Sequence, residues 1–202
     1  MLDQVILCAK NREFVLTGIG TSWIIIYFYV LTTVLGQIVF PYGLTDSSFT
    51  IEMGLFVYGF GIPGGVLFSL VLTWKPQLLK KSAYLICITA IIFLAFFYAA
   101  TVKANETLII VACAALGFFL LPILFVAYEL AVESTAADGV GETMSCGLVN
   151  VTANFFGFIV ALGLQPELAK QSKSQTTLAI ISLFINLGIS LFFLILGSVC
   201  KQ

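Results

Sequence analysis

The chain has 202 residues, of which 60% are apolar and 9% charged, with nine Lys and Arg against ten Asp and Glu and no histidine. That balance leaves no basic surface to neutralise a nucleic-acid backbone, and without histidine there is no Ser-His-Asp triad, His-ligated metal or imidazole switch. At about 20 residues per bilayer-spanning helix, the apolar share allows up to about six spans and marks an integral membrane protein.

In chain order, the first apolar run is about 14–40, ended by Pro41 and the turn-like Gly43–Asp46. The second is about 51–74, ended by Lys75-Pro76, and the third about 82–102. Asn105-Glu106 separates it from a fourth at about 107–132, and the polar stretch from Glu133 to Gly141 leads to a fifth at about 142–164. Gln165-Pro166-Glu167 stops the fifth, and the last covers about 176–199. Each run is long enough to cross hydrocarbon as a helix, and barrel strands would be about ten residues long with alternating polarity. The expectation is an all-α membrane protein, a single six-helix domain over residues 1–202. The first run is too long for a secretory h-region and no small-residue cleavage pattern follows it.

An even number of spans puts both termini on one side. Lys10, Arg12, Lys75, Lys80, Lys81 and Lys201 fall on that side, against Lys103, Lys170 and Lys173 opposite. The positive-inside rule then predicts cytoplasmic termini, in a membrane the sequence does not name. The cysteines (Cys8, Cys87, Cys113, Cys146, Cys200) lie far apart with no C-x-x-C pair. They read as small buried residues rather than disulfides or metal ligands. No metal site, cofactor or catalytic set is expected, since no nucleophile, base and orienter occur together.

Polar residues inside the runs are the candidates for function, because hydrocarbon penalises them unless they face the bundle or water. Glu129 and Glu133, spaced i,i+4, share a face at the terminus-side end of the fourth span, and Pro122 should kink that helix about two turns earlier. They read either as an ion, proton or gating site or as a snorkelling pair against a neighbouring helix end. Asn150 and Asn154, again i,i+4, sit mid-way along the fifth span, as interhelical glue or as solute contacts. Tyr27, Tyr29, Thr32, Thr33 and Gln37 follow a Gly18–Ser22 stretch that should loosen the first helix, and Tyr29 offers a π face to a cation. Gly61-x-x-x-Gly65, around Pro63, signals helix contact rather than chemistry.

Taken together these features resemble the C-terminal six-helix half of a major-facilitator transporter, and more narrowly the feline leukaemia virus subgroup C receptor-related family. The stretch carrying the resemblance is Pro122-Ile-Leu-Phe-Val-Ala-Tyr-Glu-Leu-Ala-Val-Glu133, continuing to Gly141-Glu142-Thr-Met-Ser-Cys-Gly-Leu-Val-Asn150. Glu129, Glu133, Glu142, Ser145, Gly147 and Leu148 match the family's E-x-x-x-E, glutamate and S-x-G-L pattern. Phe28–Gln37 with Pro41-Tyr42 resembles its seventh helix. The family's T-Y-P is replaced by Thr135-Ala-Ala-Asp138, and the loop Trp74–Lys81 lacks a D-R pair.

The resemblance implies transport of a small organic cation such as choline or ethanolamine, with haem export ranking behind it. It also implies that Tyr29 and Asn154 contact the solute, asparagine standing where the family has glutamine, with Asn150 and Gln37 nearby. Glu129, Glu133, Glu142 and Pro122 are then gating or ion-linked. A major-facilitator carrier has two six-helix halves around a midplane site. The chain is therefore expected to need the lipid bilayer and a second half, from the same chain type or another subunit. The alternative is a non-transporting structural membrane subunit that inherited the fold.

Overall fold

The computed structural model describes residues 2–199, with side chains described for all of these but Leu2, Asp3, Ala137 and Glu167. Cys200 and Lys201, used in the cysteine and Lys/Arg readings above, lie outside the described residues. Within them run α1 (Leu2–Lys10), α2 (Arg12–Val39), α3 (Ser47–Trp74), α4 (Leu79–Val102), α5 (Glu106–Leu120), α6 (Pro122–Thr135), α7 (Glu142–Leu168) and α8 (Lys173–Val199). Among the described residues six stretches are long and apolar enough to cross a membrane, α5 and α6 together forming the fourth. The all-α, six-span architecture expected from the apolar runs is the one observed.

The helix starts follow from local chemistry. Asn11, Asp46 and Asn105 each precede an apolar run, and each side-chain oxygen accepts a hydrogen bond from a first-turn backbone N–H, that of Phe14 (2.9 Å), Ser48 (3.0 Å) and Leu108 (3.1 Å). These are N-caps, which satisfy donors that a helix leaves orphaned. The first span ends in a short 3-10 turn, Phe40–Tyr42, closed by Gly43 at φ 91°, a left-handed conformation that suits glycine.

Helix α2 is the hub. It packs against α8, α7 and α6 and touches α3. Of the most apolar window of its span 61% is buried, against 22% in each of the spans of α3 and α7. The contacts also show an internal order. The first span packs mainly on the sixth and fifth, and the fourth packs mainly on the third and second. Exchanging the first three spans with the last three maps one set onto the other. Units of three spans, an odd number, have opposite orientation, so the contacts follow the order of an inverted repeat.

Packing between α3 and α5 is backbone on backbone. A Cβ added at Gly64 would lie 2.1 Å from the Phe118 carbonyl oxygen, and one at Gly117 would lie 2.0 Å from that of Val57. Pro122 has no N–H, so the Phe118 carbonyl loses its i+4 donor and the fourth span breaks at Leu121. The Cα–H of Gly64 points at that freed oxygen and supplies a weak substitute bond. Gly61 lies against Leu121, so the Gly61–Gly65 spacing does mark helix contact.

One local expectation fails. The Gly18–Ser22 stretch does not loosen α2, which runs unbroken. Its Gly20 instead admits α8: a Cβ there would lie 3.0 Å from the Leu194 backbone nitrogen, while Ser190 Oγ donates to the Gly20 carbonyl at 2.7 Å. The fifth span ends at Pro166, as expected, and helix α7 itself runs two residues further to Leu168.

These contacts set a stability test. Gly64→Ala and Gly117→Ala are each expected to cost about 3 kcal/mol, the upper end of overpacking penalties. Gly59→Ala, where a Cβ meets nothing within 4 Å, should leave the melting temperature unchanged or raise it. Thermal unfolding of the three variants in one detergent separates them.

Candidate solute cavity

The periodicity of α2 places Tyr29, Thr32, Thr33 and Gln37 along one stripe, at intervals of three and four residues. On α7 the same spacing aligns Asn150, Asn154, Gly157 or Phe158, and Ala161. The two stripes meet. Tyr29, Thr32 and Thr33 of α2, Tyr58 of α3, and Asn154, Gly157 and Phe158 of α7 line one cavity of about 440 Å³. A second cavity of about 650 Å³ shares Thr32 and Thr33 with it. It continues toward the mouth away from the termini, past Gln37, Thr45, Ser47, Thr50 and Gln171. Among the described residues no charged side chain lines either one.

The amide nitrogen and the threonine protons are already bonded within the protein. Asn154 Nδ2 donates to the Asn150 backbone oxygen at 2.8 Å and to Asn150 Oδ1 at 3.0 Å. Asn150 Oδ1 also accepts from Tyr128 Oη of α6 at 3.3 Å. Asn150 thus joins α7 to α6, whereas Asn154 bonds its own helix. The Thr33 hydroxyl donates to the Tyr29 carbonyl at 2.7 Å, and that of Thr32 to the Phe28 and Tyr29 carbonyls at 3.0 Å each. The ring of Phe28 stands between Tyr29 and Tyr58, centroids 6.0 and 6.1 Å away, and holds both rings at the cavity. Tyr27 faces the other way and is fully buried.

Glu129 and Glu133 are exposed and line a different cavity, about 670 Å³, with Ser69, Thr73, Pro76 and Gln77 at the end of α3. The pair therefore sits against a neighbouring helix end, apart from Tyr29 and Asn154. Glu142 is the exposed first residue of α7. A fourth space, about 800 Å³, lies between α2, α7 and α8 among Trp23, Phe156, Phe192 and Phe193. Its hydroxyls, Ser22 and Thr152, are turned onto the carbonyls of Val149 and Leu148, so it offers a solute little to bind.

The terminus side is tied by side chains. Asn11 Nδ2 donates to the Ser134 carbonyl at 2.9 Å and to Asp138 Oδ2, the Thr135 and Ser145 hydroxyls pair at 2.6 Å, and Lys80 bridges Glu13 at 2.9 Å. Together these join α2 to α6, α6 to α7, and α2 to α4 where the cavity of Tyr29 and Asn154 does not reach.

Comparison with known proteins fits this geometry. The chain is 27% identical over 202 residues to the choline/ethanolamine transporter FLVCR2 of Rattus norvegicus, covering 100% of this chain and 36% of that one. It is 26% identical over 186 residues to the choline/ethanolamine transporter FLVCR1 of Felis catus, covering 92% and 32%. It resembles the FLVCR-type major-facilitator transporters along its whole length. Solute carrier family 49 member A3 of Danio rerio is 25% identical over 173 residues, covering 86% of this chain and 35% of its own. The chain spans about a third of the length of these FLVCR-type relatives. No family model matches it.

Two residues escaped the sequence reading. Tyr58 was one more aromatic in an aromatic-rich chain, and only the fold brings it across from Tyr29. Asn11 was not singled out, although an Asn just before a long apolar run is an N-cap signal. Asn11 also anchors α1, whose buried Cys8 faces Asp138. Burial pushes the Cys8 thiol above its ordinary range, and the Asp138 carboxylate pushes it further the same way. A raised thiol pKa moves alkylation to higher pH. Asp138→Asn, which keeps the acceptor for Asn11 and removes the charge, is expected to shift the Cys8 alkylation-rate profile part of the way back to lower pH. Asn11→Ala should lower stability by about 2 kcal/mol, a lost cap plus lost tethers, and speed Cys8 labelling.

Proposed function

We propose that this six-helix unit is one half of a major-facilitator-type carrier and forms one wall of its solute pathway, for a small organic cation such as choline or ethanolamine. The observation that carries the reading is that Tyr29 and Asn154, on different spans, line one uncharged cavity. An aromatic face attracts an ammonium group without a fixed counter-charge, and an amide takes its hydroxyl. Asn150 holds Asn154 and ties it to α6, and Gln37 stands in the approach.

The wall needs a covering partner. It lies between α3 and α7, the two least buried spans, whose exposed faces carry Ile51, Leu55, Ile62, Phe155 and Phe158. A second six-helix unit, of the same chain type or another, covers that face and closes the cavity. Glu129, Glu133 and Glu142 belong to the gating or ion-linked element. The break at Pro122 lets α6 tilt separately from α5. The Lys and Arg distribution supports cytoplasmic termini.

The relatives are named as transporters, so flux is the test. With the second unit supplied, proteoliposomes should take up labelled choline or ethanolamine. Tyr29→Ala and Asn154→Ala should each cut uptake by about tenfold or more while leaving membrane insertion intact, as loss of a desolvated cation–π contact would. Native mass in mild detergent should show a second six-helix unit travelling with this one. No cation flux, together with stoichiometric co-purification with a larger complex, would replace this reading with that of a structural membrane subunit.

A further inference from the structure

Resting on the solute-pathway reading, we infer that the cavity selects cations carrying N–H donors, protonated primary amines such as ethanolammonium, over quaternary ammonium ions. The selection arises from how the polar atoms around Tyr29 are already bonded.

The amide of Asn154 has a fixed orientation. Its nitrogen lies 2.8 Å from the Asn150 backbone oxygen, an atom that only accepts, so the NH2 group must point down its own helix. What Asn154 keeps for a solute is its carbonyl oxygen. The same is true of the threonines. Each hydroxyl has one proton, and those of Thr32 and Thr33 are donated to the carbonyls of Phe28 and Tyr29. Their lone pairs remain for the cavity. With no basic residue in the lining, the wall presents oxygen acceptors beside the rings of Tyr29 and Tyr58.

The ammonium group of a quaternary ion satisfies the rings but has no N–H to give, and choline's one hydroxyl can serve only one of the oxygens. Seating it leaves others among Asn154, Thr32 and Thr33 without a replacement for their water, which weakens its binding relative to a primary amine. A primary ammonium ion has N–H groups for these acceptors and still meets the π faces. The shorter asparagine, drawn back by Asn150, makes the site one of acceptors. A longer, free amide would turn to present either end.

The test uses the whole chain with the second six-helix unit supplied, in lipid nanodiscs, and saturation-transfer NMR, which registers weak binding, titrating ethanolammonium, choline and the uncharged choline isostere with carbon in place of nitrogen. Ethanolammonium should bind about tenfold tighter than choline, the effect of one or two hydrogen bonds from a charged donor. Asn154→Leu, of similar volume, should bring the two affinities close together. Thr33→Val, at an exposed position, should narrow the gap part of the way. Choline binding as tightly as ethanolammonium would overturn this inference and leave the cation pathway standing. Binding of neither cation, or equal binding of the uncharged isostere, would overturn both.

Discussion

Helix α2 meets two opposed demands, and the rest of the fold follows from how they are reconciled. In hydrocarbon a helix that carries Tyr29, Thr32, Thr33 and Gln37 must hide them or face them to a water-filled path. The same helix is the core against which α6, α7 and α8 pack. The solution is angular. Seventeen of its residues are buried, and the polar stripe occupies the remaining sector, between α3 and α7. Every threonine on the stripe donates its proton back to its own helix, so the stripe costs little in the membrane and still shows oxygen to a solute.

The exchange of the first three spans with the last three pairs the seam of α3 and α5 with that of α2 and α7, and the two seams are built differently. The first is closed by glycine against carbonyl, at Gly64–Phe118 and Gly117–Val57, leaving no room between backbones. In the second, Cβ atoms added at Gly18 and Gly157 would stand 3.8 and 3.7 Å from Val149 and Ile26, which is ordinary van der Waals contact. It is held by side chains, such as Ser22 donating to the Val149 carbonyl at 3.2 Å. Near the termini the Thr135–Ser145 pair and Tyr128–Asn150 fix α7 as well. Away from them α7 borders the two cavities along α2. One pseudo-equivalent seam is fused, and the other leaves open space, the proposed solute cavity.

The fold was legible in the sequence because its strongest signals are long apolar runs punctuated by Asn, Asp, Gly and Pro, and hydrocarbon allows such runs one structure. A local expectation failed where tertiary packing decided. Gly20 reads as a weak point in an isolated helix and is a packing notch once Leu194 is present. The site was only partly legible. Thr32, Thr33 and Tyr29 stand out as polar or amphipathic residues in an apolar run, and Glu129 with Glu133 stand out for the same reason. Nothing in their spacing says that the acids line a different cavity from the tyrosine. Asn154 was flagged, but the direction of its amide depends on the Asn150 carbonyl, a backbone atom no sequence pattern displays.

The separation of the carboxylates from the aromatic cavity fits a carrier better than a storage site. A buried carboxylate beside an ammonium ion makes a charge pair whose loss leaves an unpaired buried ion, so release would be slow. Conduction through a site requires binding strong enough to admit a solute and weak enough to let it go. Rings and neutral oxygens meet that condition, because each interaction is modest and water can replace it in steps as the solute leaves. With Glu129 and Glu133 placed at the end of α3, their charge can bear on the terminus-side mouth without fixing the cation proposed to bind at Tyr29.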